Sequence, residues 1–275
     1  MGDTAVILLN YISWEDTLKE ITLLKERLNL AYEDMVVIDN ASPNESEIQL
    51  SRNAETMGYQ FLKAEYNGGY ASGNNIGLRY ALEKGYRYGW ILNNDILIED
   101  SHMLDKLKHA LELAPDIAAV NPDIYSPDGH MYNRDAIRPS FFYQTIGSLL
   151  YIRAGRRIKD MGGYAYIYRP QGCCMLLDLK KGAKVDFLDE HTFLYFEENI
   201  LAERLLAKGY RCACCMDARV IHNTSKTVRS QLQKKKLGQI KRTSYRYYLQ
   251  KYLHYGILRY KFCELFYRMK CLILD

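Results

Sequence analysis

The chain has 275 residues, 48% hydrophobic and 25% charged, the balance of an ordinary globular protein able to bury a full core. No run reaches the ~18 apolar residues of a membrane span, no secretory leader precedes Ala5–Leu9, and seven cysteines without paired spacing argue for a reducing, cytoplasmic setting. The net charge of +4 is uneven, because from Lys226 to Asp275 thirteen Lys and Arg face only Glu264 and Asp275, leaving residues 226–275 at +11 and 1–225 at −7; such a basic end points to an anionic partner surface.

Ala5 to Leu9 is a short apolar run with Val and Ile, the pattern of a buried parallel strand. Leu18, Ile21, Leu24 and Leu28 follow at helical spacing. Met35 to Ile38 is a second strand, ending at the turn cluster Asp39-Asn40-Ala41-Ser42-Pro43. Strand, helix, strand opens a doubly wound sheet. Gly58 to Lys63 reads as a short third strand.

Asn67-Gly68-Gly69-Tyr70-Ala71-Ser72-Gly73-Asn74-Asn75-Ile76-Gly77 is a glycine-rich loop entering a helix with Ile76, Leu78 and Leu82. It lacks the Lys and Ser/Thr of a P-loop and does not spell G-x-G-x-x-G. Its glycines either let backbone approach a ligand or simply make a tight turn and helix cap. Next, Trp90 to Leu92 forms a buried strand that breaks into Asn93, Asn94 and Asp95. Ligands of open α/β sheets sit outside the carboxyl ends of the strands. Asp95 there either holds a cation or caps the following element.

Met103, Leu104, Leu107 and Leu111 make a helix stopped at Pro115, and Ile117 to Val120 is another strand. Residues 123–168 are irregular and rich in aromatics, expected as a long excursion over the ligand edge. Cys173 to Leu177 is a strand. Phe193 to Phe196 leads into Glu197-Glu198 at the start of a helix with Leu201, Leu205 and Leu206, closed by Gly209. Cys212, Cys214 and Cys215 read as buried strand cysteines, since no further ligands at metal spacing accompany them. Val220-Ile221-His222 ends a last strand. From Gln239 on, Tyr248, Tyr252, Tyr255, Leu249, Leu253 and Ile257 alternate with Lys and Arg, which predicts an amphipathic basic helix or helix pair.

Seven pieces, taken together and in order, carry a resemblance. They are VIDNAS (Val37–Ser42), NGGYASGNNIG (Asn67–Gly77), ILNND (Ile91–Asp95), IAAVNP (Ile117–Pro122), QGCCMLL (Gln171–Leu177), FEENILAERLLAKGY (Phe196–Tyr210) and the late His222. Over about residues 5–225 the chain resembles a family 2 glycosyltransferase with the GT-A fold, most closely its bacterial rhamnosyltransferase-type branch. The fold implied is α/β, a doubly wound mixed, mostly parallel sheet with flanking helices, over residues 1–225. Residues 226–275 would add a basic, aromatic helical tail.

The resemblance implies inverting transfer of a sugar from a UDP- or dTDP-sugar donor to a hydroxyl of a glycan or lipid-linked acceptor, in bacterial cell-surface polysaccharide synthesis. Asp39 would accept from the pyrimidine base, with Asn40, Asn67, Gly69, Gly73, Asn74 and Asn94 completing the nucleotide site. Asp95 matches the last acid of the DxD motif and would hold Mg2+ or Mn2+, although Asn93 replaces the first acid. His222 would join as a ligand or donate to a phosphate. Glu198 matches the Asp of the family's ED motif, the catalytic base, with one more methylene of reach. Glu197, Gly172 and Arg204 would orient it or meet the acceptor, and Arg138 and Arg169 are candidate phosphate contacts.

The tail, with Lys234-Lys235-Lys236, suits an anionic bilayer on the inner face of the cell membrane, or an oligomer contact. Nucleic acid is not expected, for no groove-reading motif accompanies the charge. Two other readings compete. One is a sugar nucleotidyltransferase, which would want a basic glycine-rich loop where Asn10-Tyr11-Ile12-Ser13-Trp14 stands. The other is a non-catalytic glycosyltransferase-like subunit or scaffold.

Overall fold

A computed structural model of the chain describes residues 2–150, 158–223 and 234–274. The first half is a parallel sheet with helical crossovers. It runs β1 (Thr4–Asn10), α1 (Trp14–Leu28), β2 (Met35–Asp39), α2 (Ser46–Met57), β3 (Gln60–Lys63), α3 (Gly69–Glu83) and β4 (Tyr88–Leu92). Next come β5 (Ile96–Leu97), α4 (Met103–Glu112), β6 (Ile117–Tyr125), the short helices α5 (Phe141–Gln144) and α6 (Ile146–Leu149), β7 (Tyr164–Ile167), β8 (Cys174–Asp178), α7 (Leu179–Ala183), α8 (Glu197–Leu206) and β9 (Arg211–His222). The described C-terminal segment has α9 (Lys234–Tyr247), a π-helical turn over Tyr248–Tyr252 and α10 (Ile257–Leu274).

The strands form one sheet in the order β3-β2-β1-β4-β8-β6-β9-β5, with β7 added on β9. Register fixes which residues share an edge. Asn10 pairs with Asp39 and Leu8 with Leu92 in parallel, so β1, β2 and β4 all end on one side. β8 is antiparallel to β4, with Cys174 opposite Leu92, so Gly172 and Cys173 enter from that same side. β9 runs parallel to β6, and its last residue, His222, pairs with Ile96. The mixed α/β sheet with helices on both faces agrees with the expected fold.

Alternation along each strand feeds two cores. Val6 and Leu8 join Ile21, Leu24, Leu107 and Trp90 on one face, while Ala5 and Ile7 join Leu78, Ala81, Leu201 and Leu205 on the other. Cys212, Cys214 and Cys215 are buried in β9, as expected, and they are free thiols, as are Cys173, Cys174 and Cys263. A third cluster unites Ile200 of α8 with Tyr245, Tyr248, Leu249 and Cys263 of the C-terminal segment.

Three features differ from the sequence expectation. α2 goes unsignalled because it buries only Ser46 and Leu50, with Ile48 left outside, so no apolar stripe marks it. β6 continues past Pro122 to Tyr125 through a register shift. Within the supposed irregular stretch, Tyr164 to Ile167 pairs with β9 from Cys215 back to Cys212.

Candidate active site

Asp39 closes β2 as a fully buried carboxylate. Its Oδ1 accepts from Asn10 Nδ2 at 2.7 Å and Ser42 Oγ at 2.6 Å, and its Oδ2 accepts from Ser42 N at 3.0 Å. That leaves about one lone-pair position on Oδ2. Asn10 is itself held by Thr17, whose hydroxyl donates to Asn10 Oδ1 at 3.0 Å. Thr17 in turn accepts from Asn94 Nδ2 at 2.8 Å. A continuous polar chain therefore runs from Asp39 to the residue beside Asp95. Asn40 Nδ2 donates to Asn67 Oδ1 and to the Gly69 carbonyl, while its own Oδ1 is buried without a partner. A buried acceptor without a donor is costly and marks where a ligand N–H would be welcome.

Gly69 starts α3 at φ +88°, and a Cβ there would sit 2.0 Å from the Phe193 carbonyl oxygen. That carbonyl accepts from Tyr70 N at 2.9 Å. Glycine is required for both the left-handed backbone and the close approach, which ties the glycine loop to the turn before α8. At Gly73 a Cβ would come within 2.4 Å of the Leu9 side chain and 3.3 Å of Asn40 Cγ. Asn74 is buried and donates to Tyr70 O one turn back.

Asp95 follows the β4 end, and its buried Oδ1 faces His222. His222 Nε2 lies 3.2 Å away as an ion-pair partner. His222 Nδ1 meets Tyr132 Oη at 2.7 Å, which fixes the ring. Burial opposes charge on His222, but the Asp95 carboxylate and the Cys173 thiol outweigh it and raise the imidazole to about 10. Among the described residues no group of three or more His, Cys, Asp or Glu converges as a metal cage. A divalent cation that takes its other oxygens from a diphosphate would fit the Asp95 carboxylate, replacing the His222 contact on Oδ1; His222 could join it only after giving up its proton.

Glu197 and Glu198 open α8 after Tyr195 and Phe196, both in left-handed conformation at φ 71° and 69°. Two consecutive aromatics in that region are strained. Glu198 Oε1 accepts from Gly172 N at 3.2 Å. Tyr70 Oη donates to the Gly172 carbonyl at 2.8 Å and lies 3.4 Å from Asn93 Oδ1. Tyr70 thus joins the glycine loop, the β4 end and the acid pair. Glu197 is buried with Oε2 unpartnered. Burial first, then the charge of Glu198, pushes its carboxyl well above the usual range, against a weaker pull from Arg169.

Asp39, Asp95 and Glu198 therefore converge on one sheet edge, together with Asn40, Asn67, Gly69, Gly73, Gly172 and His222. Asn94 and Asn74 are at the edge, but their amide groups are engaged inside the protein. Arg204 lies two turns along α8, where its charge faces Tyr247 and Tyr252 rather than the acids. Arg138 is paired with Glu203 at 2.7 Å, and Arg169 with Asp135 at 2.7 Å, so both candidate phosphate contacts already serve carboxylates. Sequence reasoning missed Asn10, Thr17, Ser42, Tyr70 and Tyr132. Their only signal is polarity next to a strand end or within a motif already noted.

The chain is similar to several known proteins. The family described as "Glycosyl transferase family 2" matches residues 5–176. The low-salt glycan biosynthesis hexosyltransferase Agl10 of Haloferax volcanii is 24% identical over 224 residues, covering 81% of this chain and 68% of the relative. The mannosyltransferase PcManGT from Pyrobaculum calidifontis, solved with GDP-Man and Mn2+, superposes with a TM-score of 0.61 at 17% identity, covering 92% of this chain and 65% of that one. GalNAc-T7, solved with UDP, GalNAc and Mn2+, gives 0.59 at 13%, with 80% of this chain on 43% of its own. These structures share the GT-A architecture, and with a family match over more than half its length, the chain belongs to glycosyl transferase family 2.

Proposed function

We propose that the protein is an inverting, metal-dependent glycosyltransferase using a UDP- or dTDP-sugar and a hydroxyl of a glycan or lipid-linked acceptor. Residues 1–225 would carry the chemistry, and the basic segment 226–275 would meet an anionic membrane surface on the cytoplasmic side. The rhamnosyltransferase-type branch and bacterial cell-surface polysaccharide are the setting in which the motifs of Asn67–Gly77 and Phe196–Tyr210 fit. One observation carries the reading: acids from β2, from the β4 end and from α8 share one edge. Neighbours solved with UDP, GalNAc and Mn2+ and with GDP-Man and Mn2+ support a nucleotide-diphosphate donor and a cation, while the choice of a pyrimidine base rests on Asp39 and the motifs.

Asp39 and Asn40 hold the base end of the donor, the orphaned Asn40 oxygen taking a ligand donor. Asp95, joined by His222 once its ring has lost a proton, would hold the divalent cation, which when bound neutralises charge on the leaving diphosphate. Glu198 takes the proton from the acceptor oxygen. The Gly172 N–H holds one of its oxygens in place. Glu197, held neutral, avoids a second charge against that base. General-base help of this kind is worth ~10²–10⁴-fold.

Glu198→Gln tests it. Thermal shifts with UDP- and dTDP-sugars plus Mn2+ should stay as in wild type, while transfer falls by about a hundredfold or more. Near-normal turnover would refute the assignment of the base. Loss of Mn2+-dependent donor hydrolysis in Asp95→Ala separates the enzyme from a non-catalytic scaffold.

A further inference from the structure

α10 carries apolar residues on two opposite faces. Tyr260, Cys263 and Tyr267 pack inward in the third cluster. Leu258, Phe262, Leu265 and Met269 follow at spacings of four, three and four, which places them on one stripe of an α-helix. That stripe faces outward, with exposures of 85%, 43%, 52% and 40%. It continues sideways, because Phe141 of α5 stacks on Phe262 with ring centroids 6.0 Å apart. Beyond Phe141, Phe142, Ile146 and Leu150 are 47%, 45% and 63% exposed. Contiguous apolar surface of this kind marks an interaction site.

Charge identifies the partner. By helical spacing, Lys261 and Arg268 run along one side of the stripe and Arg259 and Lys270 along the other. Lys236, Lys241 and Arg242 of α9 are exposed as well. The acid of α10, Glu264, is taken by Arg246 and Arg268. A second copy docking stripe to stripe would bring like rows of cations together. An outward apolar stripe between rows of cations is instead the geometry of a helix lying in a bilayer interface. No described helix is long and apolar enough to cross a membrane.

We propose that the outer stripe of α10, continued by α5 and α6, seats the protein on an anionic bilayer with α10 in the headgroup plane. This rests on the membrane reading above and gives it a surface. The test is co-sedimentation of the full chain with phosphatidylglycerol–phosphatidylcholine vesicles and with phosphatidylcholine alone. Wild type should pellet with the anionic vesicles. The exposed double substitution Leu258→Asp/Leu265→Asp should weaken that by about tenfold or more, and Lys261→Glu/Lys270→Glu should flatten the dependence on anionic lipid.

Melting temperature and donor hydrolysis should be unchanged in both variants, so a failure of the transferase reading shows separately from a failure here. Unchanged pelleting of the Asp double variant overturns the proposal. So does wild type that ignores vesicles, including one that forms a dimer which the Asp pair dissolves.

Discussion

Glu20 offers the most direct test of the electrostatics behind the site. It sits on α1 at 5% exposure, lining a small cleft with Leu24, Arg27, Ile96 and Ile98. Burial first, then the Asp95 carboxylate, raises its pKa from 4.5 to about 8, with Arg27 and Lys19 opposing. Below about pH 4.5 both the folded and unfolded chains hold this proton, and stability has no slope from it. Between about pH 4.5 and pH 8 only the folded chain holds it, so stability is lost as pH rises, by up to ~1.4 kcal/mol per unit. The total is at most about 5 kcal/mol, and relaxation around the charge would bring it to roughly half. Glu20→Gln keeps the shape and cannot ionise. It should match wild type near pH 4 and exceed it by about 2–5 kcal/mol near pH 8, read by urea unfolding in the presence of a chelator. Glu197 titrates alike in both proteins and cancels. Parallel stability curves for the two proteins across that range would refute the reasoning.

Other changes probe the proposed catalytic edge. Tyr70→Phe leaves the Gly172 carbonyl without its donor; it should cost ~1–3 kcal/mol in urea unfolding and lower kcat about tenfold with donor KM little changed. Gly69→Ala forces a Cβ to 2.0 Å from the Phe193 oxygen at φ +88°, so a loss of at least ~2 kcal/mol is expected from calorimetry, together with loss of the donor-induced thermal shift. Glu197→Gln mimics the neutral form and should transfer sugar near the wild-type rate around neutral pH; an equal collapse of Glu197→Gln and Glu198→Gln would show that Glu197 acts as a charged group. Phe196→Ala removes the ring stacked on Tyr245 and Tyr248 at 5.1 and 5.7 Å, and should cost ~3–5 kcal/mol with a fall in kcat beyond that of unfolding.

The parallel half of the sheet was legible because each strand is a short apolar run between turn residues, and Asp39 and Asp95 stand where those runs stop. The position of Glu198 at a helix start was legible through its motif. What holds these acids was not. Asn10 meets Asp39 across 29 positions, a pairing set by strand register that no local pattern encodes. Tyr70 looks like any of the 24 tyrosines until α3 and β8 bring its hydroxyl to Gly172. Arg138 and Arg169 are free cations in sequence and neutralised ones in space. α10 was read as simply amphipathic, since its inward and outward apolar faces blur into one composition.

The C-terminal segment has a second consequence, for the acid pair itself. α8 is packed from two sides: Leu201 and Leu205 face the sheet, and Ile200 faces Tyr248 and Leu249. The strained Tyr195–Phe196 turn that presents Glu197 and Glu198 is covered by the same segment. Phe196 lies against Tyr245 and Tyr248, Lys241 sits over the Tyr195 ring at 5.2 Å, and Ser244 donates to the Leu194 carbonyl at 2.9 Å. Strain at two left-handed aromatics persists only where surroundings enforce it, and here the enforcing residues come from α9 and the π-helical turn. Deleting residues 226–275 would therefore release the turn and blunt the base as well as remove the apolar stripe. For that reason membrane seating has to be separated from catalysis by substitutions on the outer face of α10, which touch neither Phe196 nor the acids.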